Sequence, residues 1–157
     1  ERLKDGTIDC VVTDHAPHTL EAKSVGYPKA PAGMPGVETS LPLMLTHAID
    51  GKCSVSDVVQ WMCEGPAKVY NIENKGSLIE GYDGDLTLVD LETHRTITDA
   101  DTWTKVGWTP YDGFELTGLP MWTIVDGIPV HSRTKNGPFR GKPLVKPGQT
   151  GRSLRFR

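Results

Sequence analysis

The chain has 157 residues, of which 37% are hydrophobic and 24% charged, and a formal net charge of −3. That length suits one ordinary domain or two small ones. There is no basic block or acidic tail to indicate nucleic acid or an anionic membrane, and no apolar run approaches the ~18 residues of a transmembrane helix.

In chain order, residues 8–12 (IDCVV) are apolar and rich in β-branched side chains, and predict a short buried strand between DGT and Asp14. Directly after it, residues 13–18 read TDHAPH, one aspartate and two histidines in six residues. From His15 to Gly36 no periodicity is visible, and Pro17, Pro28, Pro31 and Pro35 punctuate the segment. A loop of this length inside a compact region is usually functional. Leu41, Met44, Leu45, Ala48 and Ile49 then fall at helical spacing and predict a helix over residues 39–50, ended by Gly51. Val55, Val58, Val59, Met62 and Cys63 repeat the pattern over residues 54–63, with Ser54 and Asp57 as the start signal. GPAKVY allows a short third helix with Pro66 at its first position.

After Asn71 the texture becomes β-rich. A strand is expected over residues 86–91, and TIVDGIPV predicts a hairpin turning at Asp126-Gly127. Pro129 argues for an edge strand. Residues 134–157, rich in Gly, Pro, Lys and Arg, predict an extended surface tail. An α/β piece over residues 1–70 is thus followed by a β-rich piece over residues 71–157, without internal repeats. The absence of an initiator Met and the immediate entry into a strand read as the remainder of a longer protein. Cys10, Cys53 and Cys63 have apolar neighbours and no C-x-x-C spacing, and read as buried small hydrophobes of a reducing compartment.

An aspartate at the carboxyl end of a strand is where α/β sheets and barrels place chemistry. Asp14 could ligate a divalent metal such as zinc, or accept a proton from metal-bound water. His18 could donate to a substrate oxygen. The same residues read equally as a turn-forming Asp and a solvated loop His. The remaining histidines, His47, His94 and His131, are scattered, and one carboxylate cannot hold zinc, which takes about three protein ligands. In APAGMPG, residues 30–36, Gly33 and Gly36 allow backbone N–H groups to approach an anionic ligand, or make a plain turn. Glu21 and Glu38 are set aside as catalytic carboxylates, Glu38 because helix starts favour acidic residues. Trp61, Trp103, Trp108 and Trp122 read as packing residues.

DGTIDCVVTDHAPH, EAK and APAGMPGVETSLPLML together resemble the dihydroorotases of the amidohydrolase superfamily, and GSLIEGYDGDLTLVDL with TPYDGFELTGLPMWTIVDGIPV resembles their C-terminal β-rich region. The resemblance implies the C-terminal part of a metal-dependent (β/α)8 barrel, whose last strand ends at Asp14, followed by part of a small β-sandwich. The two helices would cover the outside of the barrel. It implies that Asp14 ligates the metal and shuttles a proton, that His18 contacts substrate, and that the backbone at Ala32 and Gly33 holds the substrate carboxylate. The implied reaction is the reversible cyclisation of N-carbamoyl-L-aspartate to dihydroorotate. Two divalent ions, zinc above all, are expected in the complete enzyme, with the remaining ligands upstream of Glu1. A cytoplasmic homo-oligomer is implied, with aspartate transcarbamoylase as a further partner. Two other readings stand beside it: a dihydropyrimidinase, hydantoinase or allantoinase, and a non-catalytic amidohydrolase-like partner that has lost its ligands. These 157 residues alone are expected to be inactive.

Overall fold

The computed structural model describes residues 1–146, 154 and 155. The order is α1 (Leu20–Ser24), α2 (Ser40–Ile49), α3 (Val55–Val59), a π-turn (Gln60–Glu64), α4 (Gly65–Val69), β1 (Leu86–Thr96), a 3₁₀ turn (Asp99–Asp101), β2 (Glu115–Val125), β3 (Ile128–Ser132) and β4 (Lys142–Pro143). The four strands form one antiparallel sheet in the order β1-β2-β3-β4. The architecture is therefore mixed α/β with a small antiparallel sheet. Neither a closed barrel nor a second sandwich sheet occurs among the described residues.

Residues 8–12 form no strand. A buried strand needs ladder partners for its backbone groups, and no described segment forms a ladder with this one. Val11 N–H donates instead to the Trp61 carbonyl at 2.9 Å, and Val12 is 56% exposed. The helical run beneath it explains that bond. In a π-turn each N–H reaches the carbonyl five residues back, as Gly65 N–H does to Gln60. Pro66, next in line, has no N–H, so the Trp61 carbonyl lacks a helical donor and Val11 supplies one. The expected second and third helices are accordingly one continuous run over residues 55–69. The approach is close: a Cβ on Gly65 would lie 2.7 Å from the Asp9 carbonyl oxygen. The start signal holds, since Ser54 Oγ accepts from Asp57 N–H and the Asp57 carboxylate accepts from Ser54 N–H.

The helix expected over residues 39–50 forms, but its buried face carries Pro42 and Leu45 and packs on β2, while Ile49 is 42% exposed. The Thr46 hydroxyl donates to the Pro42 carbonyl at 2.8 Å and accepts from Thr117 N–H at 2.9 Å, fastening α2 to the sheet. The core is Ile97, Leu116, Leu119 and Phe139, with Leu43, Tyr111 and Met121 against it.

Several expectations change in the β-rich part. The strand expected over residues 86–91 continues to Thr96, with irregular pairing between Asp90 and His94. The hairpin turns at Asp126 (φ 53°) and Gly127 (φ 76°), as its two positive-φ residues require. β3 is not an edge strand, because β4 pairs with His131 and Ser132. Pro129 is tolerated because β4 stops short of it and the β2–β3 register shifts beside Ile124. The tail is not merely a surface segment: Phe139 is 2% exposed and Lys142–Pro143 pair with β3. Its residues 147–153, 156 and 157 lie outside the described residues. Of the tryptophans only Trp61 is fully buried, with Trp103 53% exposed. Cys63 is exposed and Cys10 and Cys53 are half-buried, so the cysteines are not core hydrophobes. No helix among the described residues is long and apolar enough to cross a membrane.

Candidate active-site loops

The loop that follows residues 8–12 is more ordered than its composition predicts. Thr19 caps α1 by accepting from Ala22 N–H at 3.2 Å, and Lys23 Nζ donates to the Pro31 carbonyl at 2.8 Å, folding the loop back on itself. Residues 14–16 are thereby brought against residues 33–37. Ala16 N–H donates to the Met34 carbonyl at 3.2 Å. Gly36 N–H and Val37 N–H both donate to His15 Nδ1, at 3.1 and 3.3 Å. Gly33 takes φ 96°, and a Cβ there would stand 2.7 Å from the Ala16 Cβ and 2.8 Å from its carbonyl oxygen. Only glycine meets both demands.

Of the residues expected to act, Asp14 is exposed and takes φ 42°, an uncommon conformation for a residue with a side chain that Asp accepts more readily than most. His18 is half-buried, and its carbonyl accepts from Trp108 Nε1 at 2.7 Å. Ala16, against which Gly33 packs, lies midway in sequence between Asp14 and His18. Among the described residues the N–H groups of Ala32 and Gly33 have no hydrogen-bond acceptor, whereas those of Gly36 and Val37 are engaged by His15. Of the two glycine amides expected to approach an anion, that of Gly36 is therefore engaged and that of Gly33 is not.

A groove of about 420 Å³ opens between residues 11–13, α2 and residues 114–116. Its lining includes Val12, Met34, Leu43, Met44 and Leu116, but not Asp14, His18, Ala32 or Gly33. Among the described residues no group of three or more His, Cys, Asp or Glu side chains is placed to hold a metal ion. With about three protein ligands needed for zinc, the described residues do not by themselves fit one.

Three supporting residues had no sequence signal. His15 sits between the two expected actors without a distinguishing spacing. The Glu38 carboxylate accepts from Trp103 N–H at 2.8 Å and Thr104 N–H at 2.9 Å. It therefore ties the loop before α2 to the segment between β1 and β2, rather than simply facing a helix start. Trp108 comes from that same segment, so three of its residues, Trp103, Thr104 and Trp108, reach across to residues 38 and 18. These bonds span 65 or more sequence positions, beyond the range of any local pattern.

Residues 1–126 match the family model described as the amidohydrolase family. The chain belongs to that family. Among amidohydrolase-family relatives, it is 40% identical to the dihydroorotase of Pyrococcus furiosus over 148 residues, which are 94% of this chain and 34% of that protein. It is 42% identical to the dihydroorotase of Halobacterium salinarum over 142 residues, 90% of this chain and 33% of that one. Its fold matches the L-hydantoinase (dihydropyrimidinase) of Arthrobacter aurescens with a TM-score of 0.80 at 36% identity, covering 93% of this chain and 32% of that structure. The chain spans about a third of the length of the relatives it matches. It is a portion of the amidohydrolase and hydantoinase fold.

Proposed function

We propose that the protein is a dihydroorotase, a cyclic amidohydrolase interconverting dihydroorotate and N-carbamoyl-L-aspartate, and that this chain supplies the segment ending at Asp14 and the substrate loop after it. The observation that carries the reading is the pairing of His15 and Ala16, within residues 14–18, with residues 33–37, while the Ala32 and Gly33 amides have no acceptor among the described residues. The 40–42% identity to dihydroorotases supports the choice of ring.

In the hydrolytic direction water adds to the ring amide carbonyl, and the C–N bond breaks as the ring nitrogen gains a proton. Asp14 is assigned both ends of that transfer, taking the proton from water and returning it to nitrogen. His18 donates a hydrogen bond to a substrate oxygen, and the Ala32 and Gly33 amides receive the ring carboxylate. Because a metal centre does not fit these residues alone, Asp14 is assigned as the one ligand they contribute, the others coming from the rest of the polypeptide. The hydantoinase match favours a second reading, a hydantoin- or dihydropyrimidine-opening enzyme.

The test is turnover by the full-length protein of dihydroorotate, with dihydrouracil, hydantoin and allantoin alongside. Selective opening of dihydroorotate is expected, and preference for another ring would move the assignment to that ring. Asp14→Asn should lower turnover roughly 10²–10⁴-fold, the usual contribution of a positioned acid–base group. Near-normal activity in that variant would remove Asp14 from the mechanism.

A further inference from the structure

The structure assigns His15 as a positioning residue: through Nδ1 it sets the shape of the turn that presents the Ala32 and Gly33 amides. This rests on the dihydroorotase reading for its ligand, but not for its geometry. Backbone N–H groups only donate, so Nδ1, which faces both Gly36 N–H and Val37 N–H, must carry the lone pair, and the proton of the neutral ring sits on Nε2. One imidazole thereby gathers two successive amides that would otherwise be free to turn toward an anion. The register is completed by the Ala16–Met34 backbone bond and by the contact of Gly33 with Ala16. His15 follows Asp14 in the chain, and its side chain acts on the amides of the 33–37 turn rather than on substrate. The side chain acts at its δ position. Asparagine places an acceptor oxygen at that position, whereas glutamine carries its amide one bond further out and alanine has no acceptor.

The experiment compares His15→Asn, His15→Gln and His15→Ala in the full-length protein, by amide hydrogen exchange and by steady-state kinetics on dihydroorotate. Exchange at Gly36 and Val37 should quicken roughly tenfold or more in the Gln and Ala variants, each amide having lost a bond of ordinary strength, and stay near wild type in the Asn variant. KM should rise roughly 10–100-fold in Gln and Ala with kcat within about threefold, and Asn should restore KM. A KM that is unchanged in Ala, or that rises equally in Asn and Gln, overturns the assignment, as does unchanged exchange at both amides. If the wild type opens no dihydroorotate, the functional reading fails, and the exchange measurement still decides the role of His15.

Discussion

At the scale of single residues, the backbone decides what the side chains can do. Asp14 has φ 42° and Gly33 φ 96°, and both lie where two loops meet. Asp14 combines that conformation with an exposed position. For Gly33 it lets residues 32–34 pass within contact of Ala16. Gly33→Ala combines a disfavoured φ with a Cβ 2.7 Å from another Cβ, and one of the two loops must move. We expect a loss of roughly 1–3 kcal/mol, read by denaturant unfolding, and a raised KM for dihydroorotate. Unaltered stability and KM would mean that the loops separate without consequence. The motif TDHAPH was legible as a candidate site, but which histidine touches what was not. His15 and His18 have the same chemistry in sequence, and only the fold directs Nδ1 of one to two amides and the backbone of the other to Trp108.

At the scale of elements, the helices after residue 39 and the Asp126-Gly127 hairpin were legible because their signals are local: apolar spacing, a capping box, two positive-φ residues. The irregularity in β1 was not. There Asp90 turns the chain by accepting from Glu92 N–H at 2.9 Å and Thr93 Oγ1 at 3.1 Å, and Lys135 reaches back from the tail to 2.9 Å. The Lys135 hydrogen bond, followed by the Glu92 N–H, lowers the Asp90 carboxyl from its ordinary 3.8 to about 2. The sign follows: a carboxyl more acidic in the folded chain stabilises it fully above pH 3.8, and that contribution is lost as pH falls through about 2. Asp90→Asn should therefore be less stable than wild type near neutrality, with the gap closing across that acid window. Urea unfolding at a series of pH values measures it. A gap independent of pH would assign the effect of Asn to geometry rather than charge. The Lys135 end of the pair is exposed, and salt should weaken it.

At the scale of the molecule, the apolar surface is large for so short a chain. Val12, Leu20, Val25 and Val37 are each 56–58% exposed, on the same side of the sequence as the candidate loops. The chain spans about a third of its relatives' length, and no described cluster can hold a metal by itself. Produced as these 157 residues alone, the polypeptide should turn over no dihydroorotate and should bind a dye that reports exposed apolar surface more strongly, per mole, than the full-length protein. Measurable turnover by the segment would contradict the assignment of ligands to the rest of the polypeptide. Equal dye binding would mean that these side chains stay exposed in the whole protein.

The sequence by itself determined the helices after residue 39, the hairpin and the place to look for chemistry, because each rests on residues within a few positions of one another, where spacing and backbone preference decide, whereas α1 lay in a segment read as loop. It could not determine that residues 8–12 would lack a ladder, since a strand exists only by virtue of its neighbours. Nor could it show that Pro66 would leave a carbonyl for Val11, or that Phe139 would leave the tail for the core. The reach of Glu38 and Trp108 across 65 and 90 positions was also decided by tertiary structure alone. A hydrogen bond depends on distance and direction in space, and at that separation along the chain nothing in residue order encodes either.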